Sequence, residues 1–478
     1  MRPLIKEISI SHTPESLASA LRASHPGLVL LRSAQSDIRN GRYSFLAAQP
    51  FLTFRSFGSR AEIHHRDHTD VQYGNPWSLL DSLMSHYELL DEMDLPFPLG
   101  GCFGYWGYDL KNFVEPKLSR RALNDLELPD CHIGFYDSLV VFDHHLGKTW
   151  VISTGLAGDG SRNENRAQRQ LEWWQDISSR EQDSDSRAIS SDAFEPHDIC
   201  SNFSRVEFIA RVERSQAYIR SGDIYQVNLS QRLGAPLPCS AWQLFERLTA
   251  VSPAPFSSYL DCGDFQIVSS SPELFLRLSG SHIQTRPIKG TRPRSGDPTR
   301  DTQLAYELQT SAKEMAELVM ITDLLRNDLG KVCEFGSVQV PELVRLEKFA
   351  QVQHLISTVE GRLHPGTTHF DAFACCFPGG SVTGAPKFRA MEIIDELEPV
   401  TRGPYTGAIG YLGFNRESQL SITIRSAVCK EQRAWFHVGA GIVADSSAGA
   451  EYEETLAKAE GFFQALKLRP RIEYDRVS

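Results

Sequence analysis

The chain has 478 residues with a hydrophobic content of 41%, a charged content of 23% and a formal net charge of −11. This length exceeds what one hydrophobic core of ordinary size supports, so we expect two domains or one unusually large two-layer body. The negative charge argues against a nucleic-acid partner and against an anionic membrane surface. An anionic substrate would therefore need a local cationic pocket.

Nine cysteines are scattered along the chain without a C-x-x-C pair, and Cys375 and Cys376 are adjacent, which is a poor spacing for zinc ligands. This usage is typical of free thiols in a reducing compartment. The start of the chain lacks the apolar segment of a signal peptide, and no run of about 18 apolar residues could span a membrane. We expect a cytoplasmic protein without a membrane segment.

The first two regions differ in composition. Residues 1–154 alternate short apolar runs with turn signals; GLVLLRS and SLVVFDH predict strands, and PWSLLDSLMSHYELLDEM predicts an amphipathic helix. Residues 155–199 are polar and charged. They predict a linker whose first half has the pattern of a helix containing Leu171 and Trp174.

The third region, residues 200–470, is dense in patterned elements. Residues 205–222 predict a helix, IYQVNLSQRL a strand, and FQIVSSSPELFLRL two strands broken at Ser271-Pro272. Residues 301–329 carry one apolar stripe, which predicts a single long helix. YTGAIGYLGF, SITIRSAVCK and RAWFHVGAGIVA predict three strands of an antiparallel meander, and a last helix follows them.

Two helices of the third region carry paired carboxylates. Glu314 and Glu317 lie on the long helix, and Glu451 and Glu454 repeat the same spacing on the last helix. Residues three apart share a helix face, so each pair can aim at one hard cation such as Mg²⁺. E-x-x-E is also common on solvated helices. The apolar run LVMITDLL directly after Glu317 favours the metal interpretation.

A cationic segment, QTRPIKGTRPRSG, places Lys289 among prolines, glycines and three arginines. The prolines and glycines exclude a regular helix and predict a rigid turn. Lys289 could be an ordinary surface lysine, a substrate clamp or a nucleophile. Arg286, Arg292 and Arg294 could supply the neighbouring positive charge that turns a desolvated lysine into a usable amine.

Single residues and one glycine-rich segment add further candidates. Glu273 follows a strand break and is either a satisfied turn residue or a general acid. His354 lies in a strand-like run, where a structural hydrogen bond is the ordinary alternative to catalysis. The segment GGSVTGAPK, which ends at Lys387, lacks the Walker pattern but can present backbone N–H groups to an anion.

A carboxylate site is suggested by the predicted meander. Gly439 and Gly441 could let a ligand carboxylate approach the backbone. Tyr405 and Arg425 lie on the neighbouring segments, and an arginine can bind a carboxylate with two parallel hydrogen bonds.

Eight collinear motifs resemble those of the chorismate-utilising enzymes: SPELF, PIKGTRPR, KEMAELVMITDLLRNDLG, QVQHLIS, GSVTGAPKFRAMEIIDELEP, GPYTGAIGYLGF, SITIRSA and GAGIVADS. This family includes anthranilate synthase, aminodeoxychorismate synthase, isochorismate synthase and salicylate synthase. The resemblance covers residues 200–470 densely and residues 1–154 more thinly. It implies an α+β fold with two large, mostly antiparallel β-sheets packed as a sandwich, helices on the outside, and the site in the cleft between the sheets.

Two positions favour the aminodeoxychorismate synthase branch of this family. Anthranilate synthases carry a small residue at the position of Lys289, whereas aminodeoxychorismate synthases carry a lysine that attacks C2 of chorismate as the 4-hydroxyl leaves. Gln226 stands where the water-using members carry a lysine that activates water, which implies ammonia as the nucleophile. Anthranilate synthase component I is the alternative, and GRYSFL near the N-terminus favours it.

The resemblance also implies roles, residue by residue. Glu273 is expected to be the general acid and Lys289 the covalent nucleophile. His354 is expected to lie near the leaving hydroxyl. Mg²⁺ is expected at Glu314, Glu317, Glu451 and Glu454. Chorismate is expected to contact Gly290, Thr291, Ser381, Lys387, Tyr405, Arg425, Gly439, Ala440, Gly441 and Lys458. A separate glutamine amidotransferase subunit is the implied source of ammonia.

Members of this family can carry a tryptophan pocket in the N-terminal region. The matching positions here are Ser33, Arg42, Tyr43, Pro255, Phe256 and Ser257. Phe256 and Ser257 depart from the usual Tyr-Met pair after the proline. Tryptophan is therefore an expected ligand only if the altered pair still leaves room for it.

Overall fold

The computed structural model describes residues 2–22, 24–33, 41–90, 94–180, 198–349, 352–468 and 471–473. The α-helices in these ranges are α1 (Pro14–Leu21), α2 (Pro76–Ser85), α3 (Lys111–Val114), α4 (Glu164–Ser179), α5 (Arg205–Arg220), α6 (Ala241–Val251), α7 (Pro298–Gln309), α8 (Ala312–Gly330), α9 (His369–Cys376), α10 (Lys387–Leu397) and α11 (Ala448–Leu466). None of these helices is long and apolar enough to cross a membrane.

The strands in the described ranges are β1 (Leu4–Ile8), β2 (Val29–Arg32), β3 (Tyr43–Ala47), β4 (Leu52–Phe57), β5 (Arg60–His65), β6 (Thr69–Tyr73), β7 (Gly101–Trp106), β8 (Cys131–Tyr136), β9 (Ser138–Asp143), β10 (Lys148–Ser153), β11 (Asp198–Ser201), β12 (Gln226–Pro236), β13 (Phe256–Asp261), β14 (Gln266–Ser271), β15 (Leu274–Ser279), β16 (His282–Arg286), β17 (Ile288–Pro293), β18 (Gln339–Lys348), β19 (Val352–Arg362), β20 (Gly384–Ala385), β21 (Ala408–Gly413), β22 (Glu417–Ile422), β23 (Ser426–Lys430), β24 (Arg433–Ile442) and β25 (Arg471–Glu473).

These strands form two sheets, which confirms the α+β expectation. The first has 13 strands in the order β1-β10-β9-β3-β2-β13-β14-β23-β24-β12-β11-β25, with β20 paired to β12. The second has 12 strands in the order β17-β19-β16-β15-β22-β21-β7-β8-β4-β5-β6, with β18 paired to β19. Strand pairs are antiparallel apart from β11 with β25.

Both sheets contribute to one apolar core. Val141 and Ile267 of the first sheet pack in the same cluster as Phe103 and Leu412 of the second. Helices α1, α4, α6 and α11 cover the outer face of the first sheet through a separate apolar cluster. Burial of apolar area between the layers is the main force that holds this arrangement.

Each sheet mixes strands from both ends of the chain. In the first sheet β2 pairs with β13, and in the second β7 pairs with β21. Residues 1–154 and 200–470 therefore share both sheets, and the chain has the large two-layer organisation rather than two separate cores. Helix α4 occupies the first half of the predicted linker, with Leu171 and Trp174 buried. The second half of that linker, residues 181–197, lies outside the described residues.

The predicted single helix over residues 301–329 is two helices, α7 and α8. Ser311 separates them, because its backbone is extended and its side chain accepts a hydrogen bond from the N–H of Glu314. Serine at this position stabilises the start of a new helix. Glu314 consequently lies in the first turn of α8, where the helix dipole favours a negative charge.

The predicted three-strand meander is also wrong, since the segment SITIRSAVCK divides between the two sheets. Strand β22 ends in the second sheet, and the chain crosses at residues 423–425 to β23 in the first. The chain makes a second crossing at Pro272 and Glu273, from β14 to β15. These two crossings lie side by side: the N–H of Ile422 donates to the Glu273 carbonyl at 3.1 Å, and that of Ser270 to the Arg425 carbonyl at 3.0 Å.

The cationic segment is a strand and not a turn. It forms β17, which pairs with β19, and the register shifts between Lys289 and Thr291. Gly290 occupies this irregularity with φ +67°, a left-handed conformation that glycine adopts without strain. The bulge changes which side chains of β17 face the cleft.

A buried ion pair ties several of these segments together. The Arg402 guanidinium donates to both carboxylate oxygens of Glu398, at 2.7 and 2.8 Å, and also to the carbonyls of Asn228 and Val382. Arg402 and Glu398 are both buried. The pair connects the end of α10 to β12 and to the turn that precedes β20.

We expect Arg402→Met to lower the free energy of unfolding by about 3–5 kcal/mol, because it leaves the Glu398 carboxylate buried without its partner. Denaturant unfolding followed by fluorescence measures the change. The matched control is Arg300→Met, which removes an exposed ion pair to Glu307 and should cost less than about 1 kcal/mol. Equal stability of the two variants would contradict this role.

Candidate active site

A cavity of about 580 Å³ lies where the two sheets meet α8 and α11. It is lined by most of the residues that the resemblance implied: Glu273, Lys289, Gly290, Thr291, Glu314, Glu317, His354, Ser381, Tyr405, Arg425, Gly439, Gly441, Glu451, Glu454 and Lys458. The strand crossings bring in Glu273 and Arg425. Helix α8 contributes Glu314 and Glu317, and helix α11 contributes Glu451 and Glu454.

Two predicted substrate contacts do not line the cavity. Lys387 points away from it, since its Nζ donates to the buried carboxylate of Asp328 and to the carbonyl of Cys376 at 3.0 Å. The methyl group of Ala440 is fully buried in the apolar cluster under α5 and α10, because neighbouring residues of a strand face opposite sides. Gly439 and Gly441 remain on the cavity side.

Lys289 lies close to the buried carboxylic acid Glu273. Its Nζ is 3.4 Å from the Ser381 carbonyl, and both side chains face the same part of the cavity. Burial raises the pKa of Glu273, while a hydrogen bond from the Ser381 side chain and the charge of Lys289 oppose the rise. Glu273 thus retains a proton to higher pH than an exposed glutamate does, which suits a general acid.

Of the three arginines that the sequence placed near Lys289, Arg292 lines the cavity and the other two do not. Arg286 forms a buried ion pair with Glu347, and Arg294 pairs with Asp301 at 2.8 Å. Neither lines the cavity. Arg286 ends β16 and Arg294 follows β17, and their ion pairs hold these two side chains away from Lys289.

His354 is held by the bulge of β17. Its Nδ1 is 2.9 Å from Thr291 Oγ1 and 3.3 Å from the carbonyl of Gly290. A carbonyl only accepts, so Nδ1 carries the hydrogen and Nε2 keeps its lone pair. Burial lowers the pKa of His354 to about 4, helped by the positive charge of Arg425. The imidazole is therefore neutral near pH 7 and can accept a hydrogen bond.

The four glutamates form an acidic end of the cavity. Burial raises the pKa values of Glu317 and Glu451, and the charge of Glu454 raises both further. Arg292 lies 3.6 Å from Glu314, and Lys458 lies 2.8 Å from Glu454.

Clustered carboxylate oxygens are the donor set that Mg²⁺ prefers, so these residues fit a hard divalent cation. The carboxylate oxygens of the four glutamates do not, however, converge on one position. Among the described residues, a compact group of three metal-binding side chains occurs only elsewhere, on the β5–β6 hairpin.

The opposite end of the cavity is cationic. Burial lowers the pKa of Arg425, and no carboxylate of the described residues forms an ion pair with its guanidinium. Tyr405 and Gly439 also line the cavity, and Lys458, which pairs with Glu454, donates to the Gly439 carbonyl at 2.8 Å. A buried cation without a partner is costly unless a ligand supplies the negative charge.

Three polar lining residues were not predicted from the sequence: Asn228, Lys313 and His437. Asn228 Oδ1 and His437 Nε2 are buried, and neither has a hydrogen-bond partner among the described residues. The His437 ring stacks on Tyr405 with centroids 5.1 Å apart. The period of two along β24 was the available signal, since His437 is two residues from Gly439 and shares its face.

The predicted tryptophan residues surround a second, smaller cavity. Ser33, Tyr43 and Pro255 to Ser257 line it, whereas Arg42 is held away by an ion pair with Asp143 at 2.7 Å. The part walled by described residues holds about 30 Å³, which is room for one or two water molecules. An indole does not fit unless these walls move, and tryptophan binding stays a prediction.

Comparison with known proteins places these observations in a family. The family model for chorismate binding enzymes matches residues 39–464. The chain is 37% identical to anthranilate synthase component 1 of Acetivibrio thermocellus over 92% of this chain and 90% of that protein. It is 39% identical to aminodeoxychorismate synthase component 1 of Salmonella typhimurium, over 92% of this chain and 93% of that protein.

A solved structure agrees with these relatives. The crystal structure of anthranilate synthase component I from Streptococcus pneumoniae superposes with a TM-score of 0.78 at 32% identity, covering 90% of this chain and 93% of that chain. Relatives of both names thus match at similar identity, and identity alone does not separate the two activities. The chain belongs to the family of chorismate binding enzymes.

Proposed function

We propose that this protein is an aminodeoxychorismate synthase component 1, which converts chorismate and ammonia to 4-amino-4-deoxychorismate for p-aminobenzoate and folate synthesis. The observation that carries the proposal is the position of Lys289. A primary amine lines the cavity beside a buried acid, Glu273, at the position where this branch of the family carries its nucleophile. Anthranilate synthases carry a small residue there.

The two ends of the cavity suit the two carboxylates of chorismate. Arg425, Tyr405 and the backbone near Gly439 would hold the enolpyruvyl carboxylate, since the Arg425 guanidinium lacks an ion-pair partner among the described residues. Glu317 and Glu454 would hold Mg²⁺ directly, with Glu314 and Glu451 binding it directly or through water. The bound ion would neutralise the ring carboxylate of chorismate and orient the ring.

The first chemical step replaces the 4-hydroxyl by a bond to the enzyme. Glu273 gives its proton to the hydroxyl, which leaves C4 as water. Lys289 gives up its ammonium proton to solvent, its nitrogen forms a bond to C2 as the ring double bonds shift, and the nitrogen then loses a second proton. Nε2 of His354 would accept a hydrogen bond from the same hydroxyl and so orient it.

The second step transfers nitrogen to the ring. Ammonia forms a bond to C4 and gives up one proton, the double bonds shift back, and the bond between C2 and Lys289 breaks as the lysine nitrogen takes back the electron pair and one proton. The balanced reaction consumes chorismate and ammonia and releases 4-amino-4-deoxychorismate and water. A buried amide, Gln226, occupies the position at which water-using relatives carry a lysine, which favours ammonia over water as the nucleophile.

A partner subunit is the proposed source of ammonia. The relatives named above are each a component 1, and such a name implies a second component. Residues 100–104 of this chain read Gly-Gly-Cys-Phe-Gly, the pattern of a nucleophilic cysteine turn. Cys102 is nevertheless fully buried in β7, and burial raises the pKa of its thiol to about 12. It is therefore unsuited to glutamine hydrolysis, and we propose a separate glutamine amidotransferase.

The second candidate is anthranilate synthase component I, which similarly identical relatives favour. This activity would also eliminate pyruvate from the ring. Chromatography of a reaction with chorismate, ammonium and Mg²⁺ separates the products. We expect 4-amino-4-deoxychorismate; anthranilate fluorescence without an added lyase would overturn the proposal.

We expect a covalent adduct on Lys289 when ammonia is withheld. Wild-type protein incubated with chorismate and Mg²⁺ should gain the mass of chorismate less one water, and digestion should map it to residue 289. Lys289→Ala should gain nothing, because the attacking amine is gone. Lys313→Ala removes another cavity lysine and should keep the adduct. The same mass gain in Lys289→Ala would refute covalent catalysis at this position.

We expect Glu317→Gln to abolish both turnover and stabilisation by Mg²⁺. With a chelator present, the same variant should unfold about 1–2 °C higher than wild type, because it removes a carboxylate whose raised pKa makes its ionised form unfavourable in the fold. Thermal scans with and without Mg²⁺ measure both effects.

Asp323→Asn is the control, since it changes an exposed acid on the same helix. It should respond to Mg²⁺ as wild type does. If Glu317→Gln kept the Mg²⁺ stabilisation, Glu317 would not be a metal ligand.

A further inference from the structure

The hairpin formed by β5 and β6 carries a compact group of metal-binding side chains. His65 ends β5, His68 lies in the turn, and Asp70 belongs to β6. The N–H of His65 donates to the carbonyl of His68 at 2.8 Å, which closes the turn. Strand β6 is the last strand of the second sheet, and none of the three residues lines the catalytic cavity.

The two imidazoles lie close to the same carboxylate oxygen. Nε2 of His65 is 3.4 Å from Oδ2 of Asp70, and Nε2 of His68 is 3.5 Å from the same oxygen. The two imidazole rings are stacked, with centroids 4.4 Å apart and planes inclined by 11°. Among the described residues, this is the only group of three such side chains whose ligand atoms all lie within 4.8 Å of one another.

These nitrogen-to-oxygen distances match the ligand-to-ligand distances of a tetrahedral zinc site. Zinc binds imidazole nitrogen and carboxylate oxygen at about 2.0–2.1 Å, so two ligands at the tetrahedral angle lie about 3.3–3.4 Å apart. The two nitrogen-to-oxygen distances on the hairpin are within about 0.2 Å of this value. Because the two rings are stacked, one of them must turn before both lone pairs reach the same ion; His68 is exposed, so it can turn without a change in the strand pairing.

We propose that His65, His68 and Asp70 bind a zinc-class divalent ion at a second metal site. Two imidazole nitrogens and one carboxylate oxygen favour Zn²⁺, Co²⁺ or Ni²⁺ over Mg²⁺, which prefers oxygen ligands. The His68 and Asp70 side chains are 61% and 53% exposed, so the fourth position is open to water or to a donor from another molecule. The two sites of the protein would thus select different ions by donor type.

The neighbouring His64 provides a matched control. It points to the other face of the hairpin, where Nδ1 lies 3.0 Å from Thr69 Oγ1 and Nε2 lies 3.2 Å from Glu62. Replacing it removes one imidazole from the hairpin without removing a proposed ligand. The proposal does not depend on the chorismate reaction, since no residue is shared with that site.

Calorimetric titration of Zn²⁺ alone into the intact protein, pre-saturated with Mg²⁺, tests the assignment. Wild type and His64→Ala should bind one equivalent of Zn²⁺. His68→Ala and Asp70→Asn should bind this equivalent at least about tenfold more weakly. Identical isotherms for wild type and His68→Ala would overturn the proposal, as would an equal loss in His64→Ala.

Substitution of Co²⁺ gives a readout of geometry. A tetrahedral site produces strong visible absorption, and we expect it in wild type and His64→Ala but not in His68→Ala. Weak absorption in wild type, typical of octahedral Co²⁺, would contradict the proposed geometry. His68 and Asp70 are exposed, so their variants should fold, and circular dichroism checks this.

Discussion

The site depends on two neighbouring places at which the chain leaves one sheet and enters the other. Strand β14 continues into β15 through Glu273, and β22 continues into β23 through Arg425. The hydrogen bond from Ser271 Oγ to the Ile422 carbonyl, together with two backbone hydrogen bonds, locks the crossings together. Side chains at a crossing point neither into the core nor into solvent, so an acid and a guanidinium can face one enclosed cavity.

Charge separation within this cavity explains how a protein of net charge −11 can accommodate an anion. Arg425 at one end lacks a carboxylate partner among the described residues, and the glutamates of α8 and α11 form the other end. A divalent cation bound there would convert the acidic end into a second anion site. Lys289 lines the same cavity, where the proposed chemistry requires its amine to reach the bound ring.

The sequence predicted most of the site because its signals are local. Three signals each span only a few residues: the E-x-x-E spacing, the glycine pair of β24 and the motif around Lys289. The predictions that were wrong depend on residues that are distant in the sequence. Arg286 and Lys387 have partners, Glu347 and Asp328, about sixty residues away, which decide where their charges point. The crossing inside SITIRSAVCK has no local signal either, since both halves alternate like ordinary strands.

A crystal structure of the protein with chorismate and Mg²⁺ tests the central claim most directly. We expect the enolpyruvyl carboxylate on Arg425, the ring carboxylate on the ion at Glu317 and Glu454, and C2 of the ring within about 3.5 Å of Lys289 Nζ, or bonded to it. A ring bound in another orientation, with Lys289 directed away from C2, would contradict the proposed chemistry.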